Sequence, residues 1–226
     1  MLKMVIFDMD GVIIDSERIY HYVEMKLFKK LGLDISEEER SSYIGTKTTE
    51  MWAEIKQNHF VEHPVKILVE MENSEFTACL KSEQNLKPMR GIVELIRELH
   101  GNGIILALAS SSCIELIEVI LGMFDLKKYY TFILSGDDVE NGKPAPDIFN
   151  AVCRQAGIAP QNCIVIEDSK NGVLSAKAAG IKCIGYQNSG SGDQDLSSAD
   201  MVIPDFNELS CNILKDLVSP KNHNLL

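Results

Sequence analysis

No stretch of this sequence carries the basic stripe with which a general nucleic-acid binder grips phosphates. Its 22 lysines and arginines stand against 33 aspartates and glutamates, a formal net charge of -11. The expected partner is therefore a small molecule, with neither nucleic acid nor a membrane involved and a monomer as the default assembly. No apolar run approaches the ~20 residues needed to cross a bilayer. The opening residues, MLKMVIFDMD, turn acidic too early for a signal peptide. The six cysteines, Cys79, Cys113, Cys153, Cys163, Cys183 and Cys211, include no C-x-x-C pair, and several sit in apolar runs where a thiol behaves as a small hydrophobe. A zinc site or a disulfide framework is not expected, and a reducing cytoplasm is. Internal repeats and low-complexity segments are also missing. The tail after Pro220 has no pattern and is expected to fray.

What is present is enough apolar material for a buried core, 45% of 226 residues, in one large α/β domain or a core with a smaller insert. The run Met4-Val5-Ile6-Phe7 stops abruptly at Asp8 and reads as a parallel strand buried on both faces. Similar runs recur at Ile104 to Ala109, Phe132 to Leu134, Cys163 to Ile166, Lys182 to Ile184 and Met201 to Ile203. Helical patterns separate them at Gly91 to His100, Ile114 to Leu121, Asp147 to Gly157 and Gly172 to Gly180. Alternation of strand and helix implies βαβ units and a doubly wound parallel sheet. Residues 16–87 break that rhythm, because only helical patterns are found there. Ile19, Val23, Leu27 and Leu31 recur every four residues, Ser36 to Glu39 has the form of a capping box, and Thr48 to His59 and Val65 to Lys81 read as further helices. An all-helical cap domain of residues 16–87, inserted into a core of residues 1–15 and 88–226, is the expected organisation, with Pro88 and Gly91 marking the return.

Ligands of open parallel sheets bind beyond the carboxyl ends of the strands, so the residues that follow each run matter most. Asp8 and Asp10 follow the first run, Ser110, Ser111 and Ser112 the second, Glu167 and Asp168 the Cys163–Ile166 run, and Lys143 lies in the loop after Leu134. Four carboxylates cannot stay ionised together without cations. Mg²⁺ and Lys143 supply three positive charges against four negative ones, and one protonated carboxyl closes the balance. Hard oxygen donors without thiolate or imidazole favour Mg²⁺ over zinc. If the chain turns after Asp8, one aspartate can attack phosphorus while the other gives a proton to the leaving oxygen.

Taken singly, each group has a plainer reading. A D-x-D pair is common in surface loops, Asp147 could cap a helix that Lys143 merely precedes, Ser169 could cap the next one, and one of the three serines could cap the Ile114 helix. His21, His59, His63 and His100 read as structural or surface residues, and Trp52 as packing in a cap helix.

The order of the groups, however, resembles the haloacid dehalogenase-like superfamily over essentially the whole chain. FDMDGVIIDSE resembles its first motif, LALASSS its second, SGDDVENGKPAPDIF its third and VIEDSKNGVLSAKAAG its fourth. The resemblance implies a Rossmann-like core with Asp8 as nucleophile, Asp10 as acid and base, Ser110 and Lys143 as catalytic groups on the phosphoryl oxygens, and Ser111 beside them. It also implies Mg²⁺ held by Asp8, Asp10 (through its carbonyl), Glu167 and Asp168. The chain looks most similar to the branch holding β-phosphoglucomutase and sugar phosphate phosphatases. In that branch a cap loop, here Tyr43 to Thr48, contacts substrate, which brings in Gly45, Thr46 and Lys47. The basic positions of the mutase loop fall on Ile44 and Thr48, and the mutase's hinge histidine falls on Tyr20. These departures favour a phosphatase of a small phosphorylated metabolite, a sugar phosphate first, over a phosphomutase. Lys47 keeps the mutase open. A non-catalytic phosphate-binding module is the third reading, and it loses weight because no catalytic position is missing. Asp10 also argues against dehalogenase and phosphonatase chemistry.

Overall fold

The computed structural model describes residues 1–83 and 86–219, so the tail expected to fray after Pro220 lies outside the described residues. Six strands, β1 (Met4–Phe7), β2 (Ile105–Ser110), β3 (Phe132–Ser135), β4 (Cys163–Glu167), β5 (Lys182–Tyr186) and β6 (Met201–Ile203), form one sheet in the order β3-β2-β1-β4-β5-β6. Every neighbouring pair is parallel. The doubly wound α/β sheet expected from the alternation is present. Successive side chains of a strand point to opposite faces, and β1 feeds both layers: Val5 and Phe7 pack on one side, Met4 and Ile6 on the other, all fully buried. The strand order reverses at β1, so its carboxyl end opens onto the crevice that such sheets use for ligands.

Helices α1 (Glu17–Leu31), α2 (Glu37–Ser42), α3 (Thr48–His59) and α4 (Val65–Ser82) all lie between β1 and α5 (Ile92–Gly101). The chain enters and leaves this helical segment side by side. Ile14 bridges Pro88, and the Met89 N–H donates to the Ile13 carbonyl at 2.9 Å. The segment has its own interior. Tyr20 stacks on Phe76 with ring centres 4.1 Å apart, and Trp52, fully buried, meets Phe28 edge-on at 5.8 Å while its indole N–H donates to Glu72. Trp52 thus packs, as expected, but with a polar partner.

The remaining helices are α6 (Ile114–Met123), α7 (Asp147–Ala156), α8 (Lys170–Ala178) and α9 (Cys211–Val218). Strand and helix ends correct the sequence reading in instructive ways. β2 and β4 each run one residue further, so that Ser110 and Glu167 are the last residues of their strands. α8 starts at Lys170 rather than Gly172 because the Ser169 hydroxyl accepts from the Gly172 N–H at 3.0 Å, the cap that was expected. Asp147 does not cap α7: it is the first helical residue, and its carboxylate accepts from Asn141 at 3.0 Å. No serine caps α6, whose N-cap residue is Cys113; the three serines are turned to other work. At Ser36 only half of the capping box forms. The Ser36 hydroxyl accepts from the Glu39 N–H, but the Glu39 carboxylate turns away to Tyr43 and His59. Helix α9 was not read from the sequence, although Ser210 caps it and Cys211 and Leu214 face inward.

Candidate active site

The register of the central strands brings the chemistry level. Phe7 pairs with Leu108 on one side and Ile166 on the other. The next residues, Asp8 and Glu167, therefore emerge together on one rim, with Ser110 ending β2 beside them. The Asp8 N–H continues the ladder, donating to the Ile166 carbonyl at 3.0 Å.

Lys143 reaches this rim from the loop before α7 and is the hub of the site. Its ammonium, 1% exposed, donates to Asp8 Oδ1 at 2.5 Å, to Glu167 Oε1 at 2.7 Å and to the Ala109 carbonyl at 3.2 Å. It also stands 5.2 Å above the Phe149 ring. Burial opposes the charge on Lys143, but Asp8 and Glu167 outweigh it and hold the group above its ordinary pKa, protonated. The second Glu167 oxygen accepts from the N–H groups of Asp168 and Ser169 and from the Ser169 hydroxyl, at 3.0, 3.1 and 3.0 Å. Asp168 is fixed in turn by Ser191 and Asn188.

Carboxylate oxygens of Asp8, Glu167 and Asp168, all buried, lie within 4.8 Å of one another. Burial pushes the pKa of Asp8 and Asp168 well above the ordinary range, and their mutual repulsion and that of Glu167 add to it, while Lys143 pulls Asp8 back. Three carboxylates against one ammonium leave two negative charges, the deficit that one divalent cation neutralises. The donors are all hard oxygens, the set that Mg²⁺ prefers. Gly11 makes room for the third of them. It has φ +77°, and a Cβ there would stand 1.8 Å from an Asp168 carboxylate oxygen, so a side chain is excluded both by conformation and by space. The residues present thus fit a divalent cation.

Asp10 belongs to a different set of contacts. Its Oδ1 accepts from Ser16 at 2.6 Å, and its Oδ2 from Ser112 at 2.7 Å and Ser110 at 3.4 Å. Burial raises its pKa, and the hydroxyls of Ser16 and Ser112 restrain the rise. The turn after β1 has therefore sent the two aspartates apart, Asp8 to the ammonium and the carboxylates, Asp10 to a rack of hydroxyls. The Ser110 hydroxyl also accepts from the Ser112 N–H at 3.0 Å.

Of the helical-segment residues expected at the site, Gly45 makes the closest approach. It has φ +78°, and a Cβ on it would stand 2.3 Å from the Ser169 hydroxyl. Its carbonyl accepts from Ser111 at 2.8 Å, and Asn171 donates to the Ile44 and Ser42 carbonyls at 2.9 and 3.1 Å. Gly45 and Thr46 line a small recess that also contains Asp10 and Ser111. Lys47 does not: its ammonium donates to the Val139 carbonyl of the core at 3.1 Å. Sequence reasoning missed Ser16, Asn188 and Ser191 and placed Ser112 on the rim without its tie to Asp10; these four hold Asp10 and Asp168. It also missed Glu17, Glu24 and Glu72, which line the recess beside Tyr20. Ser16 and Glu17 were within sight, since they close the motif FDMDGVIIDSE. The histidines lie elsewhere. His59 and His63 have a spacing that would pair two imidazoles on a helix, but α3 ends at His59, which meets Glu39 at 2.7 Å, while His63 is exposed.

The model of the family described as haloacid dehalogenase-like hydrolase matches residues 5–186 of this chain. A phosphorylated carbohydrates phosphatase of Thermotoga maritima is 30% identical over 222 residues, covering 96% of this chain and 100% of the relative. Hexitol phosphatase B of Escherichia coli K12 is 29% identical over 79% of this chain and 81% of its own. A β-phosphoglucomutase structure from Clostridium difficile superposes with a TM-score of 0.85 at 25% identity, covering 96% of this chain and 97% of that one. Among the described residues no helix is long and apolar enough to cross a membrane.

Proposed function

This chain belongs to the haloacid dehalogenase-like hydrolases, and from that membership we propose that it is a Mg²⁺-dependent phosphatase of a small phosphorylated metabolite, a sugar phosphate first, acting through an aspartyl-phosphate at Asp8. The observation that carries the reading is the separation of the two aspartates: Asp8 shares Lys143 with Glu167, while Asp10 is held apart by Ser16 and Ser112. One carboxylate is oriented as a nucleophile and the other as a proton carrier.

Asp8, the Asp10 carbonyl and Asp168 would hold the metal, with Glu167 in support; a bound Mg²⁺ supplies Lewis-acid neutralisation of the phosphoryl oxygens facing the carboxylates. Asp8 attacks phosphorus, the bond from phosphorus to the leaving oxygen breaks, and Asp10 gives that oxygen its proton. Asp10, now ionised, takes a proton from water as the water oxygen attacks the aspartyl-phosphate. Inorganic phosphate leaves and the Asp8 carboxylate returns. Ser110 and neighbouring N–H groups hold phosphoryl oxygens, and Lys143 offsets their growing charge. Residues 16–87 act as a cap that excludes bulk water, with the paired strands of chain at Ile14 and Pro88 as its hinge. Gly45, Thr46, Ser111 and, through its hold on the core loop, Lys47 shape the substrate side.

A phosphatase is favoured over a phosphomutase because the loop Tyr43 to Thr48 offers no free cation for a second phosphate: Ile44 and Thr48 carry no charge, and Lys47 is engaged with a core carbonyl. The six cysteines support a reducing cytoplasm as its setting, and a monomer suffices, since one chain supplies every group named. The test is Asp8→Asn against a panel of sugar phosphates, scored by phosphate release. The amide cannot attack phosphorus, so the rate is expected to fall on the order of a thousandfold or more. Near-wild-type turnover by a variant shown by mass to be free of deamidation would falsify the mechanism.

A further inference from the structure

Asp168 is held by the protein through one oxygen. Its Oδ2 accepts from the Ser191 hydroxyl and, at 3.4 Å, from the Asn188 amide, while among the described residues no group donates to its Oδ1. Glu167, one residue earlier, differs. Both of its oxygens are taken by protein donors, Oε1 by Lys143 and Oε2 by the N–H groups of Asp168 and Ser169. Of these two neighbours, Asp168 is the one that keeps an oxygen open to a ligand.

The two donors come from the short turn Ser189–Ser191 that follows β5 and from the residue before it. Asparagine closes such turns by bonding to backbone two residues on. Asn188 does so: its Oδ1 accepts from the Gly190 N–H at 3.0 Å, and its carbonyl accepts from the Ser191 N–H at 3.2 Å. Those bonds use neither the Asn188 amide N–H groups nor the Ser191 hydroxyl. The groups left over form a chain. The Asn188 amide donates to the Ser191 hydroxyl oxygen at 2.9 Å, which leaves the hydroxyl proton for Asp168. Asn188 is 6% and Ser191 1% exposed, so water competes little for these bonds. The turn is also confined from behind. A Cβ on Gly190 would stand 2.4 Å from Asp15 Oδ1, so a side chain there would push the turn, and Ser191 with it, out of place.

We propose that Ser191, backed by Asn188, is a positioning residue that sets the affinity of the site for its divalent cation. This rests on the metal part of the reading above and not on the transfer chemistry. A carboxylate free to rotate must be ordered when it takes up a cation. Two donors on one oxygen of Asp168 fix the carboxylate beforehand and leave the other oxygen free. Loss of such an outer partner weakens metal binding by about 10–100-fold.

The test is calorimetric titration of chelator-stripped protein with MgCl₂, beside phosphate release from a sugar phosphate at increasing Mg²⁺. Ser191→Ala is expected to raise the Kd for Mg²⁺ by about 10–100-fold. Asn188→Ala should raise it less, because its direct contact is the longer one. If Ser191→Ala does not fold, Ser191→Cys, similar in shape but a weak donor, takes its place. Half-maximal phosphate release should need correspondingly more Mg²⁺. Gln194→Ala is the control. Gln194 braces the same turn, donating to the Ser191 carbonyl at 3.2 Å without a bond to Asp168. Its loss should lower the melting temperature of the metal-free protein and leave the Kd unchanged. An unchanged Kd in the Ser191 variant, with the wild type binding Mg²⁺, would overturn the inference and leave the metal reading in place. An equal rise in Gln194→Ala would overturn it too, since the turn as a whole and not the hydroxyl would then matter. A wild type that binds no Mg²⁺ would remove the metal reading and the inference together. Weakened binding by Ser191→Ala in a protein that releases no phosphate would support the inference and remove the phosphatase reading.

Discussion

Glu50, near the start of α3, accepts a hydrogen bond from the N–H of Gly142 at 2.7 Å, one residue before Lys143. Lys47, one turn earlier, holds the Val139 carbonyl of the same loop. The helical segment thus touches the loop that delivers the ammonium to Asp8 and Glu167, and its Gly45 lies against Ser169. The position of this loop, and with it that of Lys143, is tied to the helical segment by these two hydrogen bonds.

Glu50→Ala should therefore impair turnover without unfolding the protein. Glu50 is exposed and the bond is a single one, so the loss is set at about 1 kcal/mol, or roughly fivefold in kcat/KM. Glu50→Gln, which keeps an acceptor, should recover most of it. A structural role elsewhere would instead lower the melting temperature and leave kcat/KM alone. Steady-state kinetics beside thermal melts of both variants separate the two cases.

A second expectation concerns the metal and is read without turnover. A cation that binds only the folded protein stabilises it by mass action, about 2.7 kcal/mol at a hundredfold excess over Kd. For a chain of this size that corresponds to a rise in Tm of roughly 5–10 °C. Millimolar Mg²⁺ should produce such a rise, and Asp168→Asn should reduce it, because Asp168 contributes one of the three clustered carboxylates. Ca²⁺ should also raise Tm yet inhibit phosphate release, since its larger and more flexible shell misplaces Asp8 relative to phosphorus. A Tm indifferent to Mg²⁺ in chelator-treated protein would remove the metal site.

The core of the site was legible because it obeys a positional rule. Asp8, Ser110 and Glu167 each stand at the carboxyl end of an apolar run, and the sheet gathers such ends whatever the loops do. The sheet itself was legible for the same reason, its central strands β1, β2 and β4 being runs of mostly buried apolar residues. What holds the carboxylates of the candidate site was not. Asn188 and Ser191 are residues whose only distinction is the carboxylate they reach, and no period marks them. Glu24 and Glu72 were passed over for a different reason. Each lies in a helix rich in charge, where a glutamate reads as solvated; their burial comes from helices packing across the segment, with Arg40 brought from α2. Helix α9 escaped because it is short, although Cys211, Leu214, Leu217 and Val218 all face the core.

The last expectation concerns Glu17 and pH. Burial raises its pKa from the ordinary carboxylate value to about 8, with repulsion from Asp10 and Glu24 adding to the rise and Arg40 opposing it. In the unfolded chain the same group titrates near ~4.3. Between those two values the unfolded state has released the proton that the folded state keeps, so folding loses stability as pH rises. The contribution of Glu17 is fully favourable below about pH 4, declines through neutrality, and levels off above the folded value of about 8. Glu17→Gln carries no such proton. Its Tm should be compared with that of the wild type from pH 5 to pH 9 in metal-free buffer, so that cation binding does not enter. The difference, variant minus wild type, should grow with pH by several degrees, at roughly 2–4 °C for each kcal/mol, and flatten once Glu17 is ionised in both states. A difference that stays constant across the range would show that Glu17 is already ionised in the folded protein, and that Arg40 holds it more firmly than its 3.8 Å separation implies.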